Sequence, residues 1–191
     1  MIERTFVMIK PDGVKRGLIG EVIKRFEQAG LKIVGLKMYH MSKEEADKFY
    51  PADDEWFESV GNKTLSSYNE LGIDAKKELG TDNPKEIGRM IKQWLLDYVS
   101  SGPVILMVLE GNHAVKKVRD MIGSTIPMNA QPGTIRGDFS VDSADWANIG
   151  KRAIMNIVHA SDSQERAEYE IKFWFKEDEL HNYKRLEEYL L

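Results

Sequence analysis

One histidine stands in a sequence setting that favours chemistry at the imidazole. His159 follows a short strand-like segment, 156–158, and precedes the polar residues 161–163, which begin a helix. A side chain at the end of a strand is accessible yet held in place. An imidazole with its ordinary pKa of about 6.5 is largely neutral at neutral pH, so one ring nitrogen keeps a lone pair that can attack phosphorus or accept a proton.

For such a role the other ring nitrogen needs a hydrogen-bond acceptor, which keeps the imidazole in one tautomer. Glu170, on the helix that follows His159, can supply that acceptor. The alternative, in which His159 is an ordinary strand-end histidine bonded to the backbone, stays open at this point.

Three cationic side chains stand at the ends of strands and helices. Lys10 follows an apolar strand and enters a Pro-Asp-Gly turn, Arg119 lies on the helix after the most apolar strand, and Arg136 lies in a long loop. Together such cations can grip a polyphosphate and neutralise a phosphoryl group in transfer. Thr125 and Asn156 could add neutral hydrogen bonds. Taken one at a time, each cation is most simply a solvated surface charge.

An aromatic cluster follows the second predicted strand. Tyr50, Trp56 and Phe57 lie close together in a short helical stretch. An aromatic face there could stack a nucleobase without reading its hydrogen-bonding edge. The simpler alternative is that these rings belong to the hydrophobic core.

Composition and motifs exclude several classes of site. The 191 residues contain no cysteine, so a thiolate metal site, a disulfide framework and a cysteine nucleophile are excluded. The phosphate-binding motifs G-x-x-x-x-G-K-[ST] and G-x-G-x-x-G are absent, as are the kinase motifs H-R-D and D-F-G. The four histidines form no H-E-x-x-H pair. Any phosphate site must therefore have another design.

Charge and hydropathy indicate the surroundings of the chain. Lys plus Arg number 27 against 31 Asp plus Glu, and the net charge of −4 gives no overall attraction to nucleic acid or to an anionic membrane. The longest aliphatic run, 104–109, is far shorter than the roughly 20 apolar residues of a membrane span, and the first residues, MIERTF, lack the apolar stretch of a signal peptide. We therefore expect a cytoplasmic chain without nucleic-acid or membrane partners.

The elements that position these side chains follow from the spacing of apolar residues, which is alternating or continuous in strands and helical in helices. The predicted strands cover 4–9, 31–39, 103–109 and about 156–158. The predicted helices cover 18–26, a stretch from 42, 84–98, a stretch after 112, and 163–175. Residues 61–83 are expected to be turn-rich, and 123–139 to form a long loop. This order predicts a ferredoxin-like α+β sandwich of βαββαβ type, with helices on one face of a mainly antiparallel four-stranded sheet.

Helix starts are predicted from capping residues. Two pairs have capping-box spacing: Ser42 with Glu45, and Asp162 with Glu165. Asn112 is expected to cap the helix that follows it.

Four segments, in this order along the chain, resemble the signature segments of nucleoside diphosphate kinases. They are T-F-V-M-I-K-P-D-G-V (5–14), G-P-V-I-L-M-V-L-E-G (102–111), P-G-T-I-R-G-D-F (132–139) and N-I-V-H-A-S-D-S (156–163). With the helices between them they cover most of the chain.

The resemblance implies a role for each candidate residue. His159 corresponds to the family's active-site histidine, and Glu170 to the glutamate that orients the imidazole. Lys10, Arg119 and Arg136 correspond to phosphate-binding cations. Thr125 corresponds to the phosphate-binding threonine, and Asn156 to the asparagine that contacts ribose and phosphate. Tyr50 corresponds to the tyrosine beside the active-site histidine, and Ser161 to the serine that follows that histidine. The base-stacking aromatic corresponds to Trp56 or, in its place, to Phe57.

The sequence departs from the family pattern at three places. Ala160 stands where a glycine usually follows the histidine, which adds a methyl group beside the nucleophile. Residues from about 61 to 93, and a second stretch from about 141 to 153, resemble insertions relative to the family. Neither stretch removes a matched residue, so residues 1–191 are expected to form a single kinase domain with two insertions.

The reaction that the resemblance implies is a phosphoryl relay in two half-reactions. His159 takes the terminal phosphoryl group of a nucleoside triphosphate such as ATP and then gives it to a nucleoside diphosphate, with little base specificity. Magnesium, Mg²⁺, is expected to arrive on the nucleotide phosphates, without a protein ligand. A homo-oligomer, either a hexamer or a tetramer, is expected.

Two other classes of function stay open from the sequence. Four-stranded sheets of this kind also occur in non-catalytic binding modules, including RNA-binding ones, although no basic-aromatic strand of the RNA-binding type is present. A phosphohydrolase or a protein phosphotransferase would use the same histidine and pass the phosphate to water or to a protein. The fate of the phosphate separates these alternatives.

Overall fold

A four-stranded antiparallel sheet is the frame of the protein. The structure, a computed structural model, describes residues 2–185. The strands are β1 (Ile2–Ile9), β2 (Lys32–Tyr39), β3 (Val104–Asn112) and β4 (Val158–Ala160). They lie in the order β2-β3-β1-β4, and each neighbouring pair is antiparallel. This order, with helices between the strands, is the ferredoxin-like α+β fold that the sequence predicts.

Ten α-helices connect and cover the strands within the described residues. In chain order they are α1 (Pro11–Lys15), α2 (Ile19–Gln28), α3 (Lys43–Phe49), α4 (Asp54–Glu70), α5 (Ala75–Leu79), α6 (Pro84–Val99), α7 (Ala114–Ile122), α8 (Ile135–Phe139), α9 (Ala144–Ile149) and α10 (Gln164–Trp174). Two short 3-10 helices cover Pro127–Asn129 and Glu177–Glu179. Within 2–185, none of these helices combines the length and apolar character that crossing a membrane requires.

Helices cover both faces of the sheet, so the expectation of helices on one face was wrong. Along β3 the side chains alternate: Val104 and Leu106 enter one core, and Ile105 and Met107 enter the other. The first core is closed by α3, α6 and α10, and the second by α2, α7 and α8. The reason is that the whole run 104–109 is apolar, so both faces of the strand must be shielded from water.

Residues 61–70, expected to be turn-rich, instead form the C-terminal part of α4. Helix α4 packs along α6, and the two backbones come close together at two glycines. A Cβ atom on Gly61 would lie 1.9 Å from the carbonyl oxygen of Pro84, and one on Gly88 would lie 2.1 Å from that of Phe57. The prediction failed because packing against a distant helix, rather than local apolar spacing, stabilises this part of α4.

Helix starts agree with the predicted caps in one case and differ in two. Ser42 and Glu45 form the expected capping box of α3, with both hydrogen bonds present. Helix α10 is capped by Ser163, one residue later than expected. Helix α7 is preceded by His113 in the left-handed conformation, with no side-chain cap. Asn112 does not cap α7 because its pairing with β1 keeps it in strand β3.

Strand β4 begins two residues later than predicted, because its pairing with β1 decides its extent. His159 pairs with Met8 and lies in the middle of the three-residue strand rather than at a strand end. Two further segments, predicted as a loop and a turn, contain short helices. The predicted loop 123–139 ends in helix α8, and the Pro-Asp-Gly turn opens helix α1.

Candidate active site

A cavity of about 680 Å³ gathers cationic, aromatic and amide side chains from distant parts of the chain. Nine of the predicted site residues line it: Lys10, Tyr50, Trp56, Arg119, Thr125, Arg136, Asn156, His159 and Glu170. Two further cavities of similar size in the described part of the chain, beside Trp146 and beside Glu168, are lined by none of them. The structure therefore brings together residues that the sequence singles out separately.

His159 is held in one orientation by a buried carboxylate. Its Nε2 atom lies 3.1 and 3.0 Å from Glu170 Oε1 and Oε2. Glu170 is completely buried, whereas the side chain of His159 keeps 19% of its surface exposed. Because an ionised carboxylate can only accept hydrogen bonds, Nε2 must carry the ring proton, and Nδ1 keeps a free lone pair.

Three side chains donate hydrogen bonds to the carboxylate of Glu170. Besides His159, Ser161 Oγ donates to Oε2 at 2.7 Å and Arg166 Nε donates to Oε1 at 2.8 Å. Burial opposes the negative charge, but the hydrogen bond and charge interaction with His159, followed by the hydrogen bond from Ser161 and the charge of Arg166, outweigh it and lower the pKa of Glu170. Glu170 is therefore ionised at neutral pH. Ser161 lies behind the carboxylate, fully buried, and does not line the cavity.

The imidazole of His159 is kept neutral. Burial is the main cause that lowers its pKa below the ordinary value, and the cations Lys10 and Arg136 act in the same direction. The hydrogen bond and the charge of Glu170 act in the opposite direction without reversing the shift. A neutral, immobilised imidazole with a free Nδ1 has the properties of a nucleophile.

Lys10 is a buried amine with a lowered pKa. Its Nζ atom donates a 2.8 Å hydrogen bond to Asn156 Oδ1, and Asn156 Nδ2 donates at 2.8 Å to the carbonyl of Thr125. Burial, followed by the charge of Arg136, lowers the pKa of Lys10 to about 7, against the opposite effect of Asp12. A phosphate in the cavity would favour the charged form of this amine by supplying a counter-charge.

Arg136 is anchored to the backbone on three sides. Its Nε atom donates at 3.1 Å to the carbonyl of Asn156, Nη1 at 2.8 Å to that of Gly123, and Nη2 at 2.5 Å to that of Val158. Burial, followed by the charge of Arg119, lowers its pKa to about 10, so the guanidinium stays charged at neutral pH. Its positive charge is therefore fixed in place at the cavity wall.

Arg119 and Thr125 are the exposed members of the site. Arg119 lies in the last turn of α7, and Thr125 follows in the connection to α8. Within residues 2–185, the side chain of Arg119 forms no hydrogen bond and no ion pair. This guanidinium is available to a ligand in the cavity.

Tyr50 and Trp56 supply the aromatic wall of the cavity. The Tyr50 ring packs edge-on to the His159 ring, with the centroids 5.7 Å apart. The Tyr50 hydroxyl is buried without a hydrogen-bond partner in the described region, and burial raises the pKa of this phenol far above its ordinary value. Trp56 lines the cavity, whereas Phe57 packs toward α6 and does not line it.

A strained turn leads into β4. Ile157 has a φ of +67°, which is unusual for a β-branched residue, and the N–H of Val158 donates at 2.7 Å to the carbonyl of Asn156, which closes a γ-turn. Buried Asp12 holds the turn, since its Oδ2 accepts a 3.0 Å hydrogen bond from the N–H of Ile157. Its Oδ1 accepts a 2.5 Å hydrogen bond from the hydroxyl of Tyr98. The turn places the Asn156 amide, which binds Lys10, just before β4, the strand that carries His159.

Comparison with known proteins identifies the family. The family model described as nucleoside diphosphate kinase matches residues 3–66 and 84–180. The chain belongs to the nucleoside diphosphate kinase family. It is 55% identical over 179 residues to the nucleoside diphosphate kinase of Pyrobaculum aerophilum, which covers 94% of this chain and 98% of that protein. It is 44% identical over 189 residues to that of Pyrococcus abyssi, which covers 98% and 92%.

Solved nucleoside diphosphate kinases have the same fold. An NDP kinase from Pyrobaculum aerophilum superposes with a TM-score of 0.89 at 53% identity, covering 95% of this chain and 100% of that chain. A transition-state mimic of nucleoside-diphosphate kinase from Borrelia burgdorferi, with bound vanadate and ADP, superposes with a TM-score of 0.79 at 36% identity, covering 98% and 95%. The family resemblance is thus confirmed. The chain is a phosphotransferase that moves the terminal phosphoryl group between nucleoside phosphates through a phosphoenzyme.

Four side chains at this kinase site are missed by reasoning from the sequence. Arg166 carries a local signal, because it lies four residues before Glu170 on one helix, where opposite charges meet. Lys92 and Tyr98 on α6 carry none, since they contact the last turn of α3 and helix α1 only in the folded chain. Asp12 is hidden because Pro-Asp-Gly is typical of an ordinary turn.

Proposed function

We propose that His159 is the residue of this nucleoside diphosphate kinase that carries the phosphoryl group, and that Nδ1 is the attacking atom. The observation that carries the proposal is the pair of contacts, 3.1 and 3.0 Å, between Nε2 and the carboxylate of Glu170. They leave Nδ1 as the unprotonated ring nitrogen at the wall of a cavity lined by cations. Within residues 2–185, no other histidine lines this cavity.

In the first half-reaction, Nδ1 of His159 attacks the γ-phosphorus of a nucleoside triphosphate in line. A bond forms between Nδ1 and phosphorus, the bond from phosphorus to the β–γ bridging oxygen breaks, and its electron pair leaves with the nucleoside diphosphate. The imidazole gains positive charge, which the ionised Glu170 stabilises through Nε2–H. The second half-reaction reverses these steps with another nucleoside diphosphate as the acceptor.

Three cations spread the negative charge of the group in transfer. Lys10 and Arg119 bind phosphate oxygens, the first from the buried end of the cavity and the second from its exposed rim. Arg136 acts chiefly through its fixed charge, because three of its five N–H groups are bonded to backbone carbonyls and hold it in place. Asn156 and Thr125 add neutral hydrogen bonds to ribose and phosphate.

Mg²⁺ is proposed to reach the site on the phosphates of the nucleotide. Within residues 2–185, no group of three histidine, aspartate or glutamate side chains is arranged to hold a metal ion. The cavity is lined by cations, which bind phosphate rather than a metal ion. The ligands of Mg²⁺ are therefore proposed to be phosphate oxygens of the nucleotide and water. When bound, the ion neutralises negative charge on the phosphates.

The base is proposed to stack on Trp56 at the outer part of the cavity. Of the two aromatic candidates, Trp56 lines the cavity and Phe57 does not. Stacking uses the π-face that every base has, so it supports little discrimination among bases.

We propose that the chain is one kinase domain that assembles into a homo-oligomer, either a hexamer or a tetramer. Leu36 and Met38 on the edge strand β2 are 50% and 60% exposed, and Val141 and Trp146 are 92% and 73% exposed. Exposed apolar side chains in such number mark surfaces that another copy can cover. Light scattering after size-exclusion chromatography measures the assembly.

The two stretches of about 61–93 and 141–153 stay proposed insertions. The family model leaves residues 67–83 unmatched, which supports an addition inside the first stretch. A cytoplasmic location and the lack of nucleic-acid partners stay predictions from the sequence.

The test of His159 is a two-step transfer assay on wild type, His159→Ala and the control His40→Ala, whose histidine lies outside the cavity. Each protein is incubated with Mg-ATP, freed of nucleotide, weighed by mass spectrometry and then given GDP. Wild type and His40→Ala should gain one phosphoryl group, stable in alkali and labile in acid, which disappears as GTP forms. His159→Ala should gain none while it still binds nucleotide. An adduct on His159→Ala, or one lost to water without GTP, would contradict the proposal.

A further inference from the structure

The guanidinium of Arg166 joins three parts of the active site. Its Nε atom donates a 2.8 Å hydrogen bond to Glu170 Oε1, and Nη2 donates a 2.8 Å hydrogen bond to the carbonyl of Phe49, the last residue of α3. The guanidinium also lies 5.7 Å from the ring centroid of Phe49 and 4.9 Å from that of Tyr169. One side of the guanidinium thus binds the carboxylate that orients His159. Another side binds the end of helix α3, which packs against His159.

We infer that Arg166 is a positioning residue for phosphoryl transfer, which fixes Glu170 and supplies the positive charge that lets Glu170 stay ionised beside a neutral His159. The inference deepens the proposed function and rests on it, because it concerns the protonation of the proposed nucleophile.

The charge balance around Glu170 requires a cation. A fully buried carboxylate is unfavourable unless it is paired and hydrogen-bonded. Two groups in contact with it could carry the positive charge, the imidazolium of His159 or the guanidinium of Arg166. Only the second choice leaves Nδ1 unprotonated and able to attack. Within residues 2–185, no other cation forms an ion pair with Glu170.

Other charged groups surround the imidazole without replacing this contact. The titratable groups that line the cavity around His159 are Lys10 at the end of β1, Tyr50 at the end of α3, Lys92 on α6, Arg119 on α7, Arg136 on α8, Asp162 before α10, and Arg166 and Glu170 on α10. Lys10 and Arg136 favour the neutral imidazole, but they act on the ring itself rather than on the carboxylate behind it. Lys10 and Arg136 are unchanged in every variant compared below, so they do not account for a difference between variants.

Loss of the Arg166 charge should make the pair formed by Glu170 and His159 bind a proton more readily. The two groups titrate together, and the added proton lies on Nδ1, since Nε2 already carries one. A protonated Nδ1 has no lone pair for attack on phosphorus. The defect should therefore be large at acidic pH and should disappear as the pH rises.

The test compares the rate constant of phosphoenzyme formation from Mg-ATP, between pH 6 and 8.5, in wild type, Arg166→Met, Arg166→Lys and Lys172→Met. Methionine keeps apolar packing against Phe49 and Tyr169, and lysine keeps the charge. Lys172 is exposed on the same helix and outside the cavity, so its variant is a matched loss of charge. Because Lys10 titrates in this range in all four proteins, each rate constant is divided by that of wild type at the same pH.

Arg166→Met should be several-fold slower than wild type at pH 6 and should match wild type at pH 8.5. A rise of about one unit in the pKa of the pair lowers the neutral fraction by less than tenfold at pH 6, because the pKa of His159 in wild type lies below 6.5. Arg166→Lys should stay within about twofold of wild type throughout, and Lys172→Met should match wild type. A ratio for Arg166→Met that does not change with pH would overturn the inference. So would an Arg166→Lys protein that is no faster than Arg166→Met at pH 6.

The outcome also separates this inference from the proposed function. If wild type forms no acid-labile phosphoenzyme, the proposed function fails and the inference fails with it. If wild type forms it normally and both Arg166 variants follow the wild-type pH profile, only the positioning role of Arg166 is refuted.

Discussion

Replacing Lys10 with methionine is expected to stabilise the folded protein while it weakens nucleotide binding. Lys10 is 7% exposed, and its pKa is lowered from the ordinary 10.5 to about 7. In the unfolded chain the amine keeps its ordinary pKa, so between about pH 7 and 10.5 the unfolded state binds more protons at this site than the folded state does. The contribution of Lys10 to the free energy of unfolding therefore rises with pH across that window and is least favourable below it.

The magnitude follows from the two pKa values. At about 1.4 kcal/mol per pKa unit, the burial of Lys10 costs about 4 kcal/mol of stability at pH 7 and about 1 kcal/mol at pH 9.5. Methionine removes this cost but leaves Asn156 Oδ1 without its donor, which costs about 1–3 kcal/mol. The net expectation is a gain of about 1–3 kcal/mol in the free energy of unfolding at pH 7 and no gain at pH 9.5.

Urea unfolding of the nucleotide-free proteins at both pH values measures this difference. Lys92→Met is the matched control, because Lys92 is equally buried at 7% but pairs with Asp47 Oδ1 at 2.9 Å, so its loss should destabilise the protein at both pH values. Calorimetric titration with Mg-ATP should show weaker binding by Lys10→Met than by wild type. A difference in unfolding free energy between wild type and Lys10→Met that is the same at both pH values would refute the reasoning.

Two further predictions concern the aromatic wall and the strained turn. Trp56→Ala should raise KM about tenfold for ATP and for GTP with little change in kcat, since base stacking contributes about 1–3 kcal/mol. Trp146→Ala, at an exposed tryptophan, is the control, and an effect on one base only would contradict a stacking role. Ile157→Gly should be more stable to urea than Ile157→Ala by about 1 kcal/mol, which inverts the usual order, because the φ of +67° strains every residue but glycine. If alanine is the more stable of the two, the turn is not strained.

How far the sequence predicts the fold depends on how local each signal is. The strand at 104–109 is recognised from its own apolar residues, and the structure places β3 there. Strand β4 is a strand only through its pairing with β1, so its limits cannot be predicted from its own three residues. The end of α4 depends on close contacts at Gly61 and Gly88 between segments that are distant in the chain.

The same distinction applies to the site. The contact between Glu170 and His159 could be predicted, because a helix that follows the strand brings the carboxylate back to the imidazole. The choice between Trp56 and Phe57 could not, because neighbouring residues on a helix point about 100° apart and only the packed helix decides which one faces the cavity. The role of Arg166 is not predicted from the sequence although its i,i+4 spacing to Glu170 is evident there, because such a pair is most often a surface ion pair.

The anchoring of Arg136 has a consequence for the reversibility of the relay. A guanidinium already bonded to the carbonyls of Asn156, Gly123 and Val158 cannot turn toward an incoming phosphate or follow a departing one. Its contribution to the potential is the same before and after transfer, and it requires no reorganisation at each turnover. Arg119, by contrast, is exposed and forms no side-chain hydrogen bond within residues 2–185. Because the same fixed charge of Arg136 is present in both half-reactions, this part of the site does not have to be rebuilt between the outward and the return transfer.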